Sequence, residues 1–121
     1  TRLTPIVILH ANHVNELDEE VAIDLGRLSG SGIMLLNQAV LLRGVNDSVR
    51  AQKDLCEQLV ELNTIPYYLH QLDRVVGAAH FELPIADGRA IVNELRTLLP
   101  GYMTPRYVQE IAGEPNKRVL A

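Results

Sequence analysis

Three polar clusters, each following an apolar run, hold most of the side chains in this sequence that are able to do chemistry. The first is His10-Ala11-Asn12-His13-Val14-Asn15-Glu16. Two imidazoles and a carboxylate this close could ligate a divalent cation, but no third ligand stands at a diagnostic spacing. The plainer reading is a loop whose His and Asn side chains bond backbone groups. The second cluster interrupts an apolar run with Asn37-Gln38 and continues through Leu42 to Arg43-Gly44-Val45-Asn46-Asp47. Buried amides need partners, so this pair either binds a polar ligand or bonds neighbouring strands. Arg43 pairs with a local carboxylate or with a ligand, and Asn46-Asp47 reads as turn and cap chemistry. The third cluster, Pro66-Tyr67-Tyr68-Leu69-His70-Gln71-Leu72-Asp73, ends on a carboxylate that would need a cationic partner if withdrawn from water. Lys117, after Gly113-Glu114-Pro115-Asn116, reads locally as a solvated lysine. A Schiff-base role would require a positioned, partly desolvated amine.

The elements that must carry these clusters alternate between two hydrophobic rhythms. Pro5 to His10, Ile33 to Leu36 (resuming over Ala39 to Leu42) and Ile65 to Leu69 read as buried strands. Between them, Val21, Leu25 and Leu28 follow an acidic Asp18-Glu19-Glu20 start, and Gly30 and Gly32 close that helix. A second helix, capped by Asp47 or Ser48, carries Leu55, Leu59 and Leu62 in one stripe with Cys56 beside it. Pro84 opens a third, with Ile91, Leu95 and Leu98 expected to face inward. Tyr107 to Ile111 reads as a last short strand. Strand starts near positions 6, 33 and 65 recur at about the 30-residue length of a βαβ unit. Polar clusters at strand C-termini are where parallel barrels and open α/β sheets place their sites.

Composition narrows the function classes. At 121 residues and 47% hydrophobic, the chain can build one core. Eleven basic against fifteen acidic residues, with no long basic run, argue against a nucleic-acid partner. No apolar run reaches the ~20 residues of a membrane span and no signal peptide is visible, so a cytoplasmic protein is expected. The single cysteine, Cys56, sits among leucines and reads as core. A closed eight-stranded barrel takes ~200 residues or more, so the chain is either a small open α/β domain or part of a larger barrel.

Taken together, the three clusters, the Gly77 to Phe81 stretch and Gly101-Tyr102 with Pro105 resemble the lysine 2,3-aminomutase family, in order and along almost the whole chain. That resemblance implies an α/β fold. Residues 1–121 would be the C-terminal half of a (β/α) partial TIM-like barrel of the radical S-adenosylmethionine type, without the cluster-binding N-terminal half. It implies an isomerase that moves the 2-amino group of L-lysine to carbon 3, with S-adenosylmethionine, pyridoxal phosphate and a 4Fe-4S cluster as cofactors. Residue by residue, His10 and Gln38 fall where the family contacts S-adenosylmethionine. Asp73 and Glu110 fall at carboxylates for the side-chain ammonium of the substrate, and Lys117 falls at the lysine that anchors pyridoxal phosphate. A homo-oligomer is compatible with this reading.

Departures from the family pattern are informative too. His70 replaces a usual tyrosine, and Gly113-Glu114-Pro115-Asn116 replaces a glycine-rich segment. Both resemble the branch that makes (R)-β-lysine for elongation factor P. Glu110 replaces an aspartate. The Cys-x-x-x-Cys-x-x-Cys motif of the cluster has no counterpart here, so no metal ligand is expected in this chain and the chain alone is expected to be inactive. Two rivals stand beside this reading: a non-catalytic α/β module for a ligand or partner, and a metal-dependent enzyme using His10, His13 and Glu16.

Overall fold

The computed structural model of the chain describes residues 3–72 and 79–121. Four parallel strands run in sequence order, β1 (Ile6–Leu9), β2 (Met34–Leu41), β3 (Thr64–Gln71) and β4 (Arg106–Gln109), and a short β5 (Arg118–Val119) adds antiparallel to β4. The connections carry α1 (Glu19–Gly30), α2 (Val49–Glu61) and α3 (Ile85–Leu98). Val21 of α1, Leu55 and Leu59 of α2 and Val92 of α3 join one core with Ala39, Leu41, Leu69 and Tyr107 of the strands, so all three helices cover the same face. The order never reverses, as it would in a doubly wound sheet. The opposite face is left open: Ile6, Ile8, Met34 and Ile65 are each 44–50% exposed. None of the described helices is long and apolar enough to cross a membrane.

Local chemistry explains the element boundaries. Asp18 accepts from Val21 N–H at 2.9 Å and starts α1; Ser48, rather than Asp47, accepts from Ala51 N–H at 3.0 Å and starts α2. Pro84 stands one position before α3, as its N-cap. Gly32, with φ at +83°, turns the chain from α1 into β2. Gly88, Val92 and Leu95 of α3 are buried and Ile91 packs against the core, so Ile91 and Leu95 face inward as expected, whereas Leu98 is 51% exposed and the capping Leu99 is buried in its place. At Gly88 the Tyr107 ring occupies the space a side chain would fill, so the buried row starts at a residue with no apolar signal.

One irregularity in β3 shapes the site. Asn37 pairs with Pro66 but Gln38 pairs with Tyr68, so β3 holds an extra residue there. Burial then alternates Thr64, Pro66 inward before the bulge and Leu69, Gln71 inward after it, and the Tyr67 and Tyr68 rings lie together with centroids 4.1 Å apart. Bulges characteristically re-aim side chains near functional sites, and proline tolerates such a place because it lacks an N–H for the ladder.

Candidate functional site

The carboxyl ends of β1 to β4 lie side by side because the parallel register aligns them. Gln38, Tyr68 and Arg106 form one row across the sheet, and Val40, His70 and Val108 form the next. His10 follows β1 and Glu110 follows β4. A pocket of about 300 Å³ opens over these ends, lined by His10, Gln38, Val40, His70, Gln71, Leu72 and Glu110. The fold thus gathers His10, Gln38 and Glu110, which are far apart in the chain. Asp73 lies outside the described residues.

A second, larger space of about 790 Å³ adjoins it, and Glu110 lines both. Tyr68, Glu114 and Lys117 are among its walls. Lys117 arrives through a hairpin. Gly113, with φ at +85°, turns the chain, and β5 returns with Val119 opposite Val108 and Arg118 opposite Gln109. One more step of that register sets Lys117 across from Glu110, and Lys117 Nζ lies 2.6 Å from Glu110 Oε1. The same Nζ lies 5.4 Å from the centre of the Tyr68 ring, within reach of a cation–π attraction. Lys117 is three-quarters buried, whereas the Glu110 side chain is largely exposed. The hydrogen bond from Lys117, and then its charge, hold the Glu110 carboxyl below the usual carboxylate range. The Tyr68 phenol is pushed up, first by its hydrogen bond with Tyr67 and then by burial.

Amides fix the frame beneath the pocket. Asn37 exchanges two hydrogen bonds with the Ala11 backbone, at 3.0 and 3.1 Å. Asn12 Oδ1 accepts from Val40 N–H at 2.9 Å. Asn46, 1% exposed, accepts from Leu42 N–H and donates to the carbonyls of Asn12 and Val40. Of the adjacent amides, Asn37 therefore ties down the segment that follows β1, and Gln38 lines the pocket. Arg43 donates to the Glu82 carbonyl through Nε and Nη2, a backbone partner where the sequence suggested a carboxylate or a ligand.

Beyond His10, the first polar cluster is committed to backbone work. Glu16 Oε2 accepts from the N–H groups of Asn12 and His13, and His13 Nδ1 accepts from Asn15 N–H, forming a capping box. Among the described residues, no three His, Cys, Asp or Glu side chains group as a metal site.

Residue chemistry discriminates among the cofactors the sequence implied. Lys117 fits an aldehyde cofactor: it offers an amine at the edge of a space of about 790 Å³ with an aromatic wall. His10 and Gln38 present polar edges to a common pocket and fit a polar ligand such as S-adenosylmethionine. An iron–sulfur cluster does not fit this chain. Cys56 is buried among core residues on α2, and burial pushes its thiol up to about 12, the reverse of what a thiolate ligand needs.

Sequence reasoning overlooked Tyr68 as a neighbour of Lys117 and Asn46 as a buried hub. The signal for the first was the Gly113-Glu114-Pro115-Asn116 turn, which returns Arg118-Val119 to the sheet.

No protein-family model matches the chain. Curated relatives do. A protein of Haemophilus influenzae named L-lysine 2,3-aminomutase is 43% identical over 121 residues, 100% of this chain and 36% of the relative. One of Escherichia coli with the same name is 44% identical over 115 residues, 95% of this chain and 34% of the relative. One of Clostridium subterminale, again so named, is 41% identical over 108 residues, 89% of this chain and 26% of the relative. The chain spans about a third of the length of the first two and matches their C-terminal part.

Proposed function

We propose that this chain, whose sequence belongs to the C-terminal part of the lysine 2,3-aminomutase family, supplies the cofactor-anchoring and substrate-holding portion of an enzyme that moves the 2-amino group of L-lysine to carbon 3. The observation that carries this reading is Lys117, three-quarters buried and held between Glu110 and Tyr68 beside the pocket that His10 and Gln38 line. When bound, pyridoxal phosphate supplies electron delocalisation for the migrating group, and S-adenosylmethionine supplies the radical.

This chain's own residues orient and hold. Lys117 positions the aldehyde cofactor at the junction of the two spaces. His10 and Gln38 hold the polar parts of S-adenosylmethionine. Asp73 and Glu110 accept the side-chain ammonium of lysine, which needs anionic partners once desolvated. Val40 and Leu72 line the wall of the smaller pocket and suit the methylene stem of lysine. The sequential strand order with one uncovered apolar face supports a place in a partial barrel, the open face turned to the barrel interior. The cluster would be held by sequence outside these residues, so this chain by itself would not turn over lysine. His70 and the Gly113 to Asn116 turn support the branch whose product modifies elongation factor P, in the cytoplasm.

The test is conversion of nitrogen-labelled L-lysine by the protein that carries this segment, assembled with its cluster. β-Lysine bearing the label at carbon 3, lost in Lys117→Ala, is the expected result. β-Lysine formation by the Lys117→Ala protein at the wild-type rate would remove Lys117 from the reaction.

A further inference from the structure

Arg106 opens β4 on the uncovered face of the sheet. Tyr107 beside it turns into the core, so Arg106 points the other way, in the row that Gln38 and Tyr68 share across the strands. Each of the other described arginines bonds or faces a carboxylate, a side-chain amide or a backbone carbonyl. Arg106 is exposed and makes no hydrogen bond or ion pair with any described residue. The carboxylates of the larger space do not serve it, since Glu110 faces Lys117 and Glu114 is engaged by Arg118. A guanidinium is a planar fork that matches phosphate and carboxylate oxygens. One that stands in the row of the site without a carboxylate is available to an anion carried by a ligand.

Geometry sets what else that ligand carries. Lys117 lies against Glu110, four residues beyond Arg106, which is ~13 Å of strand rise before the reach of two long side chains is taken off. Tyr68 stands between them: its ring centre is 5.4 Å from Lys117 Nζ and its backbone pairs with Arg106. The Tyr68 phenol, pushed up first by its hydrogen bond with Tyr67 and then by burial, is drawn back by the Arg106 charge, so the guanidinium is within electrostatic reach of that ring. An amine and a guanidinium on either side of one aromatic wall suit a ligand about one ring long, with a carbonyl at one end and an oxyanion at the other.

We propose that Arg106 is an oxyanion subsite of the space that Lys117 borders, selecting among aldehydes those that carry a phosphate or carboxylate about one ring's width from the carbonyl. The inference deepens the cofactor-anchoring reading and rests on it for the aldehyde end, but not for the anion. It concerns which ligand reaches Lys117, not the state of the amine, because two aldehydes are compared on the same lysine.

Two pairs of aldehydes provide the probes: pyridoxal phosphate against pyridoxal, and para-carboxybenzaldehyde against benzaldehyde. The chain is incubated with each, reduced with borohydride and mapped by peptide mass spectrometry. Lys53, on α2 and paired with Glu57 at 2.8 Å, is the other lysine of the sequence and corrects for intrinsic reactivity. The corrected preference of Lys117 for the anionic member should fall about two- to fivefold in Arg106→Gln, the range of a partly exposed ion pair. Arg106→Lys, which keeps the charge without the fork, should retain part of it. A fall in the first pair alone assigns the subsite to phosphate, and in the second alone to carboxylate. With Lys117 labelled, no fall in either pair overturns the proposal. A second measurement needs no aldehyde. Inorganic phosphate, compared with chloride at equal ionic strength, should shift the Arg106 Nε–Hε resonance, identified by its loss in Arg106→Lys, more than that of Arg50, whose side chain is 91% exposed on α2. A shift no larger than that of Arg50 overturns the subsite. If phosphate shifts Arg106 but no aldehyde labels Lys117 above Lys53, the anchoring reading fails while the anion subsite stands.

Discussion

Gly88→Ala is a change of one methyl group whose sign reverses the usual rule for helices. In a helix interior alanine is favoured over glycine by about 1 kcal/mol. Here a Cβ would overlap the Tyr107 hydroxyl and Cζ and lie 2.6 Å from Cε2. Tyr107 is fully buried and cannot swing into solvent. Its hydroxyl donates to Gln71 Oε1, while Gln71 Nε2 donates to the Leu83 carbonyl at 2.7 Å. Forcing a methyl into such a site costs about 1–3 kcal/mol. Breaking the Tyr107 bond leaves a buried Gln71 oxygen unpaired, a further cost of about 1–3 kcal/mol. After the propensity gain, the net loss should be about 1–5 kcal/mol, or roughly 4–20 °C in Tm for a chain of this size. Gly26→Ala is the control, since nothing lies within 4 Å of a Cβ there and the gain should be about 0.5–1 kcal/mol. Urea and thermal unfolding followed by circular dichroism measure both. If Gly88→Ala is as stable as the wild type while Gly26→Ala is stabilised, the packing of Tyr107 against α3 is not as described.

Asn46→Ala should lose about 2–3 kcal/mol in urea unfolding, because it strands Leu42 N–H and two carbonyls beneath the pocket. Ser48→Ala should lose about 1 kcal/mol, the value of an N-cap. At alkaline pH the folded chain keeps protons that the unfolded chain releases. The Cys56 thiol (ordinarily 9.0) and the Tyr107 phenol (ordinarily 10.0) are each pushed up to about 12. Their contribution is therefore complete below pH 9 and declines as pH rises from there through about 12, which thermal scans across that range should show. Glu110 has the opposite sign: its depressed carboxyl contributes at neutral pH, and the contribution disappears as pH falls through its lowered folded value. Glu110→Gln should therefore flatten part of the acid limb of the stability profile.

Much of this architecture was written in local pattern. The strands after Pro5, Ile33 and Thr64 and the helices opened by Asp18 and Ser48 lie where apolar periodicity and caps place them, because those signals are decided within a few residues. The ends of α3 show the limit: Ile91 and Leu95 face inward as periodicity places them, but Leu98 does not, and the buried row begins at Gly88, which leaves room for Tyr107 and, lacking a side chain, gives no periodic signal. The β3 bulge and β5 were equally hidden, since cross-strand register depends on partners distant in sequence. The candidate site divides the same way. His10, Gln38 and Glu110 were singled out by type and by resemblance, but only the aligned strand ends bring them to one pocket. The ion pair of Lys117 with Glu110 follows from the hairpin register, of which the Gly113 to Asn116 turn is the one local sign in the sequence.

Attachment of pyridoxal phosphate tests the central claim most directly. The chain is incubated with the cofactor, reduced with borohydride and mapped by peptide mass spectrometry. The account predicts a pyridoxyl adduct on Lys117 in clear excess over Lys53, lost in Lys117→Ala without transfer to Lys53. Equal labelling of the two lysines, or labelling of Lys53 alone, would contradict it.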